Sequence, residues 1–171
     1  GIDDREHAEA GFCVKFGAVA RHFVEKMGVG TYLSAKEAMQ VLEATESVPV
    51  YHMIGNAREV KGGFCNCCAC CCDMRWATDA IGNTKLGIQT SRFLCEFDPA
   101  RCGQCFACVR LCPFGAITSQ PNGMPRVDAD RCMGCGTCVI NCPDRALRLR
   151  IVRPPEHIPE DGPQHIFDSL G

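Results

Sequence analysis

One cysteine pattern, C-x2-C-x2-C-x3-C-P, occurs twice in this chain, thirty residues apart. The first copy is Cys102, Cys105, Cys108 and Cys112-Pro113, and the second is Cys132, Cys135, Cys138 and Cys142-Pro143. The repeat extends beyond the cysteines. Asp98-Pro99-Ala100-Arg101 precedes the first copy and Asp128-Ala129-Asp130-Arg131 the second, and Ala116-Ile117 is matched by Ala146-Leu147. A unit this short cannot bury enough apolar surface to fold alone, so two such units must share a core and draw further stability from what the cysteines bind. Three cysteines at spacing three wrap a tight loop around one centre, and the fourth follows on a short helix. Such spacing aims thiolates at a metal, which disulfide frameworks do not do. A pair of structural zinc sites also offers four ligands per half, but it leaves the paired Cys-Pro ends unexplained.

Over Phe93 to Arg153 the double motif resembles the two-cluster bacterial-type ferredoxins. The resemblance implies two 4Fe–4S clusters, one-electron transfer between them, and a ferredoxin-like β-α-β-β-α-β dicluster domain. It also implies crossed ligation, in which the fourth cysteine of each motif serves the other cluster. Cluster one then takes Cys102, Cys105, Cys108 and Cys142, and cluster two takes Cys132, Cys135, Cys138 and Cys112. Gly103, Gly134 and Gly136 suit loops whose backbone approaches a cluster and offers N–H groups to its sulfurs. Strands are expected at Ala116–Thr118 and Ala146–Arg150. Phe106, Phe114, Ile117, Val139 and Ile140 are expected to keep the clusters dry.

A second feature lies upstream, where Cys65-Asn66-Cys67-Cys68-Ala69-Cys70-Cys71-Cys72 has six cysteines in eight residues. One cube takes four protein ligands, so six cannot all serve it. Neighbouring residues of a strand face opposite ways, so either a looped backbone gathers several of these thiols on one metal or two metal centres flank the segment. The reading is a third iron–sulfur site on Cys65, Cys67, Cys68, Cys70, Cys71 and Cys72, with Cys13 or Cys95 as a further ligand. A zinc clip is the alternative, and Cys13 also reads as a small core residue. From Gly11 to Cys72 the chain is similar to a group of anaerobe iron–sulfur proteins, in which a helical segment and a C-N-C-C-x-C-C-C run precede a dicluster domain. The matching pieces are Gly11-Phe12-Cys13, Ser34-Ala35-Lys36-Glu37-Ala38, His52, Asn56 and the cysteine run. That group has more cysteines before the position of Cys13, which this chain lacks.

The organisation that follows is α+β: a helical segment (1–62), a cysteine-dense segment (63–91), the dicluster domain (92–153) and an extended acidic tail (154–171). Phe12, Phe16, Val19, Ala20, Phe23 and Met27 recur at helical spacing, and Gly28-Val29-Gly30 ends that helix. Ser34-Ala35-Lys36-Glu37 is a capping box that opens a second helix to about Glu46. Val50–Ile54 reads as a strand and Met74–Ala80 as a short helix, with Met74 and Trp76 packing inward. His52 reads as a structural histidine sooner than a ligand.

Sixteen cysteines in 171 residues, at metal spacing, point to a reducing, anoxic cytoplasm. No apolar run reaches the roughly 20 residues of a membrane span. The polar start does not read as a signal peptide, and an opening Gly in place of Met reads as a fragment or a processed end. Formal charge is −2 but uneven: residues 92–153 hold nine Arg, no Lys and five acids. Those arginines offset cluster charge, and without a basic run or interleaved aromatics they do not read as a nucleic-acid surface. The expected function is single-electron transfer through two clusters to or from a further cysteine-ligated centre, with a redox protein partner or a larger oxidoreductase complex. A reductase whose Cys65–Cys72 site is catalytic, and a redox or metal sensor, are the alternatives.

Overall fold

Ser34 starts the longest helix as its sequence requires: its hydroxyl accepts from the Glu37 amide at 3.3 Å, and the Glu37 carboxylate accepts from the Ser34 amide at 2.7 Å. In the computed structural model, which describes residues 13–46, 48, 50–55, 58, 62–68, 72–82 and 84–158, this half comprises several short elements. They are β1 (Val14–Lys15), α1 (Gly17–Arg21), a π-helical turn over His22–Lys26, α2 (Ala35–Thr45), β2 (Tyr51–Ile54), β3 (Gly63–Cys67) and α3 (Asp73–Ala80). Gly11, Phe12, Asn56, Cys70, Cys71 and the tail beyond 158 lie outside the described residues.

The first half is therefore less helical than its spacing predicts. β1, β3 and β2 form an antiparallel sheet in that order, with Phe64 opposite both Val14 and Ile54. Phe16 packs on Phe64 at 5.6 Å between rings. Cross-strand apolar pairing of this kind holds the chain extended through Lys15, so the helix begins only at Gly17. Trp76 also departs from expectation. It is 71% exposed on α3, whereas Arg75 beside it is buried.

The second half runs β4 (Phe93–Phe97), α4 (Ala107–Leu111), β5 (Ile117–Ser119), β6 (Pro125–Val127), α5 (Thr137–Ile140) and β7 (Leu147–Ile151). It is a small α+β unit. β4 pairs antiparallel with β7, and β5 with β6. Its hydrogen bonds repeat with the sequence. Asp98 N–H donates to Ala146 O and Asp128 N–H to Ala116 O, both at 2.8 Å. Arg101 reaches the Asp144 carbonyl at 3.4 Å and Arg131 the Phe114 carbonyl at 3.2 Å. Each bond crosses from one repeat to the other, so the halves are intertwined about a pseudo-twofold axis.

Two buried clusters form the interior. One, around Cys95, Ala116, Ile117, Cys132, Cys138 and Leu147, lies within the repeat unit. The other joins the halves through Tyr51, Cys67, Ile88, Phe114 and Met133. Polar bonds reinforce the second: Thr137 Oγ1 donates to Val50 O at 3.0 Å, Asn141 Nδ2 to Glu46 O at 2.7 Å, and Arg75 to Pro113 O at 3.1 Å. The Arg75 guanidinium also stands over the Phe114 ring, 4.9 Å from its centroid.

Candidate metal centre

Two cavities open inside the repeat unit, and cysteines line each. The first is bounded by Cys102, Cys105, Cys108 and Cys142, together with Gln104, Phe106, Asp144 and Pro125. Cys132, Cys135, Cys138 and Cys112 bound the second, with Gly134, Gly136, Phe114 and Cys95. In both, three thiols come from one repeat's loop and the fourth from the helix end of the other. The fourth cysteine is held alike in each case: Ala116 N–H donates to the Cys112 sulfur and Ala146 N–H to the Cys142 sulfur, both at 3.2 Å. Such N–H bonds stabilise a thiolate and favour the more negative state of anything it ligates.

Loop backbone conformation follows the same symmetry. Gln104 and Gly134 have φ of 57° and 69°, and Phe106 and Gly136 have 58° and 86°. The left-handed turns thus belong to the loop shape, with glycine at these positions in the second repeat only. Gly103, expected to bring its N–H toward a cluster, does not have a positive φ; its amide donates to Asp144 Oδ2 at 3.0 Å. Of the residues expected to keep the site dry, Phe114 and Ile117 are buried and Phe106 and Val139 half-buried. Ile140 is 54% exposed, because it is the last residue of a single-turn helix whose buried side is taken by Thr137 and Cys138.

Upstream, the first residues of the cysteine-dense run, Cys65 to Cys67, lie in strand β3. Cys65 and Cys67, two apart on β3, share one face, opposite Met53 and Tyr51 of β2. Cys13 reaches Cys65 from the residue before β1, and Cys72, at the N-cap of α3, comes back to Cys67. Cys13, Cys65, Cys67 and Cys72 therefore form one group of free thiols drawn from three separate segments. Cys68 is buried at the end of β3. Cys95, considered as a further ligand here, is instead in the repeat unit, with its sulfur 3.5 Å from that of Cys138. Cys13 is exposed and not a core residue. His52 is satisfied across the sheet, with Nδ1 2.6 Å from Asn66 Oδ1.

The thiols show the tension of this packing. Cys65 and Cys67 share a proton. The Cys67 S–H donates to Cys65 and holds its pKa down to about 6, while Cys67 itself is pushed far above the ordinary thiol value by that bond and by burial. Partial desolvation of its thiol, within an otherwise exposed residue, and the neighbouring Cys65 raise Cys13, while burial raises Cys135 and raises Cys108 to about 11. Among the described residues no three His, Cys, Asp or Glu side chains close on a single point as ligands of one ion do. This holds alike for the eight repeat cysteines and for Cys13, Cys65, Cys67 and Cys72.

Tyr51 was not foreseen. It is 2% exposed, and its hydroxyl has no partner at full hydrogen-bond geometry. Cys72 and Cys67 lie close enough to raise its pKa, behind burial as the main cause. A buried orphan of this type costs about 1–3 kcal/mol. The sequence signal was its place on β2, which becomes informative only once β2 is paired with β3.

Residues 101–147 match the model of the 4Fe–4S dicluster domain family. The chain is also similar to a protein of Halobacterium salinarum provisionally named as the iron–sulfur component of a dimethyl sulfoxide reductase. The two are 40% identical over 68 residues, which is 39% of this chain and 26% of that protein. The chain thus spans about a quarter of that relative. The C-terminal segment is a 4Fe–4S-binding, electron-transfer unit. Among the described residues no helix is long and apolar enough to cross a membrane.

Proposed function

We propose that the chain is an electron-transfer protein or subunit that passes single electrons through two 4Fe–4S clusters, to or from a further cysteine-ligated centre at the Cys65–Cys72 run. Cluster one is assigned to Cys102, Cys105, Cys108 and Cys142, and cluster two to Cys132, Cys135, Cys138 and Cys112. The observation that carries this reading is the make-up of the two cavities, each lined by three thiols of one repeat and one of the other. When bound, a 4Fe–4S core supplies one-electron chemistry. The residues around it supply the thiolates, the Ala116 and Ala146 amides that stabilise them, and the apolar walls that exclude water.

A redox protein or a larger oxidoreductase complex is the proposed partner. The relative's name, that of a reductase iron–sulfur component, supports that setting. One observation favours a catalytic role for the upstream centre as a second reading: Cys13 is exposed, so that thiol group is open to solvent on one side.

Crossed ligation is tested by EPR of reduced, anaerobically purified chain. Cys112→Ser combined with Cys138→Ser is expected to leave one cluster signal intact, because both changes fall on cluster two. Cys112→Ser combined with Cys108→Ser is expected to damage both clusters. The reverse pattern refutes the assignment. An EPR signal of the upstream centre that changes with added small ligands carries the second reading.

A further inference from the structure

We propose that Cys13, Cys65, Cys67 and Cys72 are the protein ligands of the further iron–sulfur centre, and that the Tyr51 hydroxyl donates a hydrogen bond into it. The inference rests on the reading that such a centre exists and specifies where it sits and what tunes it.

Four thiols from three segments meet here without forming a disulfide. Cys65 and Cys67 share one face of β3, Cys13 falls opposite Cys65 in the β1–β3 register, and Cys72 borders the same buried cluster as Cys65 and Cys67. Their side chains come from a strand face, a strand's leading residue and a helix N-cap, all pinned by the β1–β3–β2 sheet. Nothing in ordinary core packing calls for this convergence. Thiols are weak hydrogen-bond partners, so gathering four of them gains little without a ligand.

Tyr51 is the second, independent observation. It stands directly opposite Cys67 in the β2–β3 ladder. Its hydroxyl is buried and has no partner at full hydrogen-bond geometry, while the Cys72 sulfur lies within looser hydrogen-bonding reach and Cys67 is near. A phenol O–H without an acceptor is out of place against protonated thiols and well placed against metal-bound thiolates, which are strong acceptors. Tyr51 is thus a positioning residue whose donor is supplied before the cluster arrives. Its ring also packs on Phe114 at 4.7 Å. Phe114 lines the second cavity, and Cys65, Cys67, Cys72, Cys112 and Cys135 all border the core these two rings share. The new centre and cluster two therefore face one apolar layer. An electron moving between them oxidises one centre and reduces the other, with no bond made and no proton moved.

The test uses anaerobically purified full chain, with iron, sulfide and zinc measured per chain and EPR recorded on titration. Wild type is expected to hold more iron than the about eight atoms of two 4Fe–4S clusters. Cys13→Ser with Cys72→Ser is expected to lose only the excess, with the two ferredoxin signals kept. Tyr51→Phe is expected to keep the iron and move the midpoint potential of the third centre to more negative values, leaving the other two unmoved. Alkylation at alkaline pH with mass mapping avoids variants altogether. The exposed Cys13 is expected to be protected in loaded protein and to react once the metal is stripped.

Wild type with iron for two clusters and no more overturns the underlying reading. Excess iron that survives the double serine change, or a Cys13 that alkylates freely in loaded protein, overturns the ligand set. Zinc in place of the excess iron overturns the cluster. An unmoved potential in Tyr51→Phe overturns the role of Tyr51 alone.

Discussion

Gly134 offers the sharpest test of how the repeat unit is built. Its φ of 69° is left-handed, and a Cβ there would land on the Phe93 carbonyl oxygen and the Ser91 hydroxyl, 2.8 Å from the Phe93 carbonyl carbon. Neither neighbour can yield easily. Phe93 is laddered to Ile151 at the start of β4, and Ser91 Oγ donates to Gly134 O at 2.9 Å while its amide holds Met133 O at 3.0 Å. Gly134→Ala therefore incurs about 1–2 kcal/mol for the left-handed backbone and about 1–3 kcal/mol for overpacking. Gly136→Ala is the control. Its φ is 86°, but the added Cβ would meet only Leu149 Cδ1 at 3.3 Å, the end of a flexible side chain. It should show the backbone cost alone, about 1–2 kcal/mol. In cluster-loaded chain, at one scan rate under anaerobic conditions, Gly134→Ala should lower the midpoint by about 10 °C and Gly136→Ala by a few degrees. Equal losses would refute the claim that the close approach of β4, and not φ, sets the requirement for glycine at 134.

Three further outcomes follow from the same contacts. Thr137→Val leaves the buried Val50 carbonyl without its 3.0 Å donor and should cost about 1–3 kcal/mol, read as a lower thermal midpoint. Arg75→Gln removes the cation over Phe114 and the bond to Pro113 O; a loss of about 1–2 kcal/mol is expected, with faster amide exchange on both sides of the Tyr51–Phe114 core and an unchanged rate at β5 and β6. In metal-free chain, iodoacetamide should modify Cys65 with a rate that rises through about pH 6 and levels above it, because the reactive thiolate is favoured by the Cys67 bond. Cys13, raised by burial, should gain reactivity only above the ordinary thiol value of 9.0. A shared midpoint for the two would contradict the asymmetry.

The repeat unit could be read from the sequence because its information is local. Cysteine spacing fixes the loops, and Asp98 and Asp128 each turn back on the amide two residues ahead, at 3.0 and 2.9 Å. The strands at Ile117 and Leu147 fall one residue from their expected starts. The first half was harder for the opposite reason. Phe16 and Val19 carry helical spacing, but the sheet that competes for them is assembled from β3, some fifty residues later. Cys13, Cys65 and Cys72 were visible as cysteines. Their meeting depends on that sheet's register, and Tyr51 enters the site only by lying opposite Cys67. Long-range pairing of this kind leaves no mark at the spacing of one segment. The same limit explains Trp76: α3 turns Arg75 inward to reach Pro113, which a reading of side-chain size alone inverts.

Cys112 and Cys142 are equivalent by the repeat, down to the 3.2 Å bond each accepts from the alanine four residues on. The first half of the chain breaks that equivalence. Cys112 borders both buried cores, whereas Cys142 borders only the one inside the repeat unit. Exposure grades in the same sense. In the first cavity Cys105 is exposed and the other three thiols half-buried; in the second, Cys132 and Cys138 are buried. Under the proposed ligation, cluster one is the centre a soluble partner can approach, and cluster two is the one that faces Tyr51 and the upstream thiols. Under that proposal, the buried, stacked rings of Phe114 and Tyr51 on this side leave little solvent to screen charge. An electron placed on cluster two then raises the cost of adding one to the upstream centre, and the reverse holds equally. Under the proposal above, the buried O–H of Tyr51 acts against that cost, since it stabilises added negative charge where water cannot. The polar group that breaks the apolar layer thus lies where the second electron would otherwise be hardest to accept.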